Sequence, residues 1–157
     1  MIILGSTCLP GWILNPDASK CYKYSDSVTS WWKAKEECEL PISVPDDSVV
    51  LSQHKAHLVS IANKEENNFV SSLVNGKIAW LGGTKLWDET WLWIDGSVWS
   101  YENWRYSPEG LQLEPNNYNN NENSLVMNCG GLTGGEWCDF HGNTPQPSGY
   151  VCQYIAF

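Results

Sequence analysis

At 157 residues, with 42% apolar residues, ten tryptophans and only 17% charged residues, the chain can bury one packed core, which argues against a disordered tail. A formal net charge of -9, with nine basic residues spread along the sequence, excludes a surface built to neutralise phosphates, so nucleic acid is not an expected partner. No stretch is long and apolar enough for a membrane span, and residues 1–157 read as a single domain.

The opening MIILGST lacks the length and the basic region of a signal peptide. Six cysteines, Cys8, Cys21, Cys38, Cys129, Cys138 and Cys152, form an even set without the close pairs of a zinc site. That usage points to disulfides, an oxidising compartment and a secreted, extracellular protein. Residues 8–24 (CLPGWILNPDASKCYKY) read as an N-terminal hairpin bracketed by Cys8 and Cys21. Residues 29–40 (TSWWKAKEECEL) space Trp31, Ala34 and Cys38 along one face of a short helix, with Thr29 as its expected N-cap.

Two prolines and two adjacent aspartates mark residues 41–53 (PISVPDDSVVLSQ) as a surface loop. A short strand is expected at 57–61 (HLVSI). Asn63 followed by Glu66 then gives a capping-box start to a second helix over 64–74, with Phe69, Val70 and Leu73 facing inward. After Asn75-Gly76 the texture changes to short aromatic strands at 78–81 and 90–94, the second ending in the turn Asp95-Gly96. Residues 105–123 hold two prolines, three glutamates and a run of asparagines, too long and polar for a tight connection and suited to a functional loop. Strands at 124–127 and 150–154 close the chain.

Trp80, Trp93, Trp104 and Trp137 are expected in the core. His54, His57 and His141 show no HExxH or comparable pairing, and no GxSxG elbow or phosphate-cradling glycine loop is present; Gly130-Gly131 and Gly134-Gly135 more simply permit a turn. The chain therefore reads as a binding protein and not an enzyme.

Read in order, CLPGW, CYKY, the helix ending at Cys38, HLVSI, WLGG, WIDG, YENW, Glu114-Pro115-Asn116 and YVC resemble the C-type lectin-like domain over nearly the whole chain. The resemblance implies an α+β double-loop fold, with two helices flanking antiparallel sheets and a long ligand-binding loop. It also implies the pairs Cys8–Cys21 and Cys38–Cys152. The third bridge departs from the family pattern, because Ser124 and Gly142 stand where the family has cysteines; a displaced Cys129–Cys138 bridge is expected, with an intermolecular disulfide as the alternative.

For function, the resemblance implies calcium-dependent carbohydrate binding. Calcium takes six to eight oxygens, and the expected ligands are Glu114, Asn116, Glu122 and Asp139, with Pro115 cis. The same residues would hold a terminal monosaccharide, joined at the rim by the aromatic ring of Tyr118 first and Trp87 second. Glu-Pro-Asn accompanies mannose- and glucose-type sugars in this family. Cys138, however, replaces an asparagine that both ligates and donates to the sugar, so Asn120 or Asn143 is a substitute ligand and galactose stays open. Lys85, Asn117 and Asn123 at the positions of a second calcium site imply one ion only. Sugar binding should fade as pH falls toward the carboxylate range, and weak single sites imply a homo-oligomer or surface array. Two rival readings remain: a calcium-independent protein-binding domain, and an ice-binding protein on the same scaffold.

Overall fold

The computed structural model describes residues 5–41 and 55–156; the expected loop at 41–53, Pro41 apart, and His54 lie outside them. β1 (Ile13–Leu14) turns into β2 (Lys20–Ser25) around Asn15, whose Oδ1 accepts the backbone N–H groups of Ser19 and Lys20 at 3.0 Å each. Asparagine side chains mimic a backbone turn in this way, which is why the NPDAS cluster works as one. β2 pairs antiparallel along its whole length with β8 (Gly149–Ile155), and the Cys8–Cys21 bridge fastens the preceding segment to it.

α1 (Trp31–Cys38) buries Trp31, Ala34 and Cys38, the face that the spacing predicts. Its N-cap is Ser30 and not Thr29: the Ser30 hydroxyl accepts from Lys33 N at 3.1 Å, while the Thr29 carbonyl is used by the indole N–H of Trp80 at 2.8 Å. Cys38 is bridged to Cys152 of β8. β3 is confined to His57–Leu58, shorter than the expected 57–61. The carbonyl of Val59 turns to Gly82 N at 2.8 Å, so the chain leaves the β8 ladder there.

α2 (Lys64–Val74) begins as expected at Asn63, whose Oδ1 accepts from Glu66 N at 2.8 Å. The capping box is only half made, however. Glu66 accepts from Ala62 N at 2.7 Å, and its other oxygen meets Lys20 Nζ and the Tyr22 hydroxyl, each at 2.6 Å. The buried face is Glu66, Asn67, Val70 and Val74; Phe69 and Leu73 pack half-buried at its margin. Asn75, at φ 54°, ends the helix in the left-handed conformation that asparagine tolerates.

With its side chain 8% exposed, Glu66 depends on Lys20 for its charge balance. Lys20→Met is expected to lower the unfolding free energy by about 3 kcal/mol by leaving that carboxylate buried without its cation. Urea melts check this, with the Lys20→Met/Glu66→Leu double variant recovering most of the loss.

β4 (Ala79–Lys85) is central. It outruns the expected 78–81 because Gly83, Thr84 and Lys85 pair with β5 (Trp91–Trp93), itself a trimmed version of the expected 90–94. The sheet order is β1-β2-β8-β4-β6-β7, with β3 attached to β8 and β5 to β4; β6 is Ser124–Met127 and β7 is Trp137–Phe140. Every pairing is antiparallel except β4 with β8, so the sheet is mixed and not the purely antiparallel one expected. Ser148 N donates to Ile78 O at 2.9 Å where the two strands enter side by side. Gly82 and Gly83 let other elements touch the β4 backbone: a Cβ at Gly82 would lie 2.6 Å from Leu58 O, and one at Gly83 2.7 Å from the Leu125 side chain. Trp80 packs with α1 and the buried cysteines on one side of the sheet, whereas Trp93, Trp104 and Trp137 pack on the other.

Candidate functional site

The long loop is rooted in the tryptophan cluster. Trp137 on β7 is fully buried, its indole donating to Asn67 Oδ1 at 2.8 Å, and its backbone binds both ends of the segment before the loop: Trp137 N to Asn103 O at 2.8 Å and Arg105 N to Trp137 O at 3.0 Å. The Arg105 carbonyl then accepts from Leu113 N at 2.9 Å, and a Tyr106–Gln112 bridge folds residues 106–112 into a small hairpin. Gln112 Nε2 donates to Glu114 O at 2.8 Å, which sets the carbonyl ahead of the cis Glu114–Pro115 bond.

Beyond that bond the loop turns on asparagines. Asn117, Asn119 and Asn120 hold φ of 48°, 56° and 56°, conformations that asparagine tolerates better than most residues. Asp139, only 1% exposed on β7, receives the turn: its two oxygens accept from Asn116 N and Asn117 N, both at 2.9 Å. Glu114 accepts from Asn116 N at 3.2 Å and Asn116 Nδ2 at 3.0 Å, and Glu122 accepts from Tyr118 N at 2.9 Å. Asn117 Oδ1 closes the circuit by accepting from Glu122 N at 3.2 Å.

The carboxylates are neighbours electrostatically. Burial, a hydrogen bond with Asp139 and the charges of Asp139 and Glu122 push Glu114 up to about 8. Burial also pushes Glu122 upward, against the pull of the Tyr118 N–H; Asp139 adds to the rise, and Lys85 and His141 oppose it. A donor set of acidic oxygens and one amide, crowded together at that cost, suits a hard cation such as calcium. Among the described residues no three His, Cys, Asp or Glu side chains converge as a metal-holding group, and each of the three carboxylates accepts from loop N–H groups.

The other expected site residues are dispersed. Tyr118 is 68% exposed on the short 3-10 turn Tyr118–Asn120, and Trp87 is 94% exposed at the tip of the β4–β5 turn. Cys138 is buried in a bridge to Cys129 and offers no donor. Asn120 borders a cleft with Glu122, whereas the Asn143 backbone N–H donates to His141 Nδ1. Lys85, at the position where a second calcium site is expected to be lost, is paired with Glu89 at 3.1 Å. Sequence reasoning missed three bracing residues, Gln112, Tyr106 and Asn117; for Asn117 the one available signal was its place in the asparagine run.

A family model described as the lectin C-type domain matches residues 27–154. A lectin of Pleurodeles waltl is 30% identical over 97% of this chain and 78% of its own length, while the chain spans about a quarter of several other curated relatives. The C-type carbohydrate-recognition domain of cow CD23, solved in the presence of a GlcNAc2Man3 oligosaccharide, superposes with a TM-score of 0.74 at 28% identity, over 97% of this chain and 98% of that one. A calcium-independent type II antifreeze protein shares the fold at 21% identity, with a TM-score of 0.73 over 99% of this chain and 100% of that one. The match across the helices, the sheet and the long loop has one meaning: the chain belongs to the C-type lectin domain family.

Proposed function

We propose that the chain is a single secreted domain that binds terminal monosaccharides of glycans through one calcium ion, held by Glu114, Asn116, Glu122 and Asp139. The observation that carries this reading is Glu114 half-buried and crowded against Asp139 and Glu122; burial first, and then those two neighbours, push its carboxyl up to about 8. An acidic cluster costly to the ion-free domain gains most from a dication. Bound there, calcium supplies open coordination positions for two neighbouring sugar hydroxyls. The chain's own part is to accept from those hydroxyls with Glu114 and Glu122 and to donate from Asn116, with Tyr118 offering an aromatic face. Mannose- or glucose-type sugars follow from the Glu-Pro-Asn order; the bridged Cys138 removes one donor, which keeps galactose as the competing ligand. Several copies displayed together would give useful avidity.

The test is a glycan array run with calcium and again with chelator, followed by retention on the best sugar across pH. Binding is expected only with calcium. Because the ion must displace the Glu114 proton, calcium affinity should fall by about tenfold for each unit below 8, well above the ordinary carboxylate range. Stability follows the raised carboxyl with the opposite sign. In the ion-free domain the Glu114 contribution is fully present below the ordinary carboxylate value and lost as pH rises through about 8. Melting temperatures without calcium should therefore decline over that window, and calcium should restore them.

A calcium-independent reading, protein or ice binding, draws on the N–H groups that already occupy each carboxylate. Calorimetry separates it: no heat with millimolar calcium, with a protein partner retained or thermal hysteresis observed, would favour that reading.

A further inference from the structure

One cleft beside the acidic cluster is lined by Lys85, Asn117 and Asn123, the positions at which the family resemblance implies a second calcium site without its acidic ligands. It lies between the β4–β5 turn and the long loop, encloses about 330 Å³, and is bordered by Lys85, Trp87, Asn120 and Glu122 among others. That volume is at the low end for small-molecule sites, room for one ring and little more. Glu122 belongs to both the cleft and the cluster, and Asn117, whose N–H is held by Asp139, lines the cleft as well. The cleft therefore begins where the cluster ends.

Trp87 stands at its outer edge, 94% exposed, on a turn that is closed at both ends. Leu86 N donates to Thr90 O at 2.8 Å, Glu89 N to Leu86 O at 3.1 Å and Thr90 N to Asp88 Oδ1 at 3.1 Å. The root of the turn is tied to the long loop: Lys85 N and Thr84 Oγ1 both donate to Asn123 O at 3.0 Å. Beneath, the Lys85 side chain is 7% exposed and paired with Glu89. A large aromatic ring on a braced turn contributes contact area with little ordering cost on binding.

The lining selects the occupant. An indole face matches the C–H face of a pyranose, the asparagine amides match ring hydroxyls as donors and acceptors, and Glu89, Glu122 and the overall charge of -9 oppose an anionic ligand. The geometry points to a second saccharide subsite, in which Trp87 stacks on the neutral pyranose next to the one held at the acidic cluster, so that the preferred ligand is an uncharged oligosaccharide. This rests on the sugar-binding reading above.

Isothermal titration in calcium, using methyl mannoside with mannotriose and methyl galactoside with lactose, tests it. For the pair that binds, the oligosaccharide should bind at least about fivefold more tightly than its monosaccharide. Trp87→Ala should remove that advantage, weakening the oligosaccharide at least about fivefold more than its monosaccharide, and Trp87→Phe should keep most of it. Sialyllactose should gain nothing over the monosaccharide. Equal affinities for both members of the pair in the unaltered protein, or equal losses for both in Trp87→Ala, overturn the subsite. Absence of heat with all four neutral sugars is a different result: it removes the sugar-binding reading itself, and the subsite with it.

Discussion

An Asp139→Ala domain is expected to lose calcium-dependent retention on immobilised sugar, with calcium affinity reduced by roughly a hundredfold or more. Two losses combine. The variant removes one of three carboxylates from the proposed ion site, and it also frees Asn116 N and Asn117 N, the two amides that fix the loop on β7. Charge-assisted bonds of this kind contribute about 1.5 to 3 kcal/mol each when buried. Relief of the repulsion on Glu114 works in the other direction, so in the ion-free variant the Glu114 carboxyl should move down from about 8 while its burial, the larger cause, still holds it raised. Calcium titration by calorimetry and a carbon-detected titration of the glutamate carboxyls check the two halves separately. Retained calcium affinity together with an unmoved Glu114 would count against the proposed site.

Replacing Cys38 and Cys152 together by serine should lower the unfolding free energy by about 3 to 5 kcal/mol, the largest single stability effect expected. The bridge spans 114 of the 157 residues, so its loss releases a loop of well over half the chain in the unfolded state. Its partner effect is local, since Cys38 is the last residue of α1 and Cys152 lies in β8 directly opposite Lys23 and Leu58. Removing Cys129–Cys138, which closes only nine residues, should cost about half as much by the same argument. Urea unfolding of the two double variants, compared at one pH, measures the difference.

Much of the fold could be read from the chain because the deciding residues act locally. The spacing of Trp31, Ala34 and Cys38 defines a helix face without reference to anything distant, and Asn63 marks the start of α2 through a hydrogen bond three residues long. The Gly-Gly of WLGG stands out only through the family resemblance, since the approach of Leu58 and Leu125 that requires it comes from distant parts of the chain. What could not be read depends on partners remote in sequence. Glu66 looked like half of a capping box, yet its partner is Lys20, 46 residues earlier. Thr29 and Ser30 are equivalent as caps until Trp80 claims the Thr29 carbonyl. β8 was expected to close an antiparallel sheet, and only its contact with Ala79 and Trp80 makes the sheet mixed.

The candidate site divides in the same way. Glu114, Pro115, Asn116 and Glu122 are close in sequence and stand out in an asparagine-rich loop, whereas the roles of Gln112, Asn117 and the Trp137 backbone emerge only from the folded geometry. The upward shift of Glu114 is likewise invisible in sequence, because it comes from burial and from Asp139 lying 25 residues along the chain.

The strand order carries one more consequence. β1, β2 and β8 occupy one flank of the sheet, whereas β7, which bears Asp139, forms the other. Leu9 N donates to the Tyr154 hydroxyl at 2.7 Å and Trp12 packs edge-on against the same ring, so the segment ahead of β1 lies beside the end of β8. A tether at either end would join the domain on the flank away from β7, where Asp139 receives the long loop.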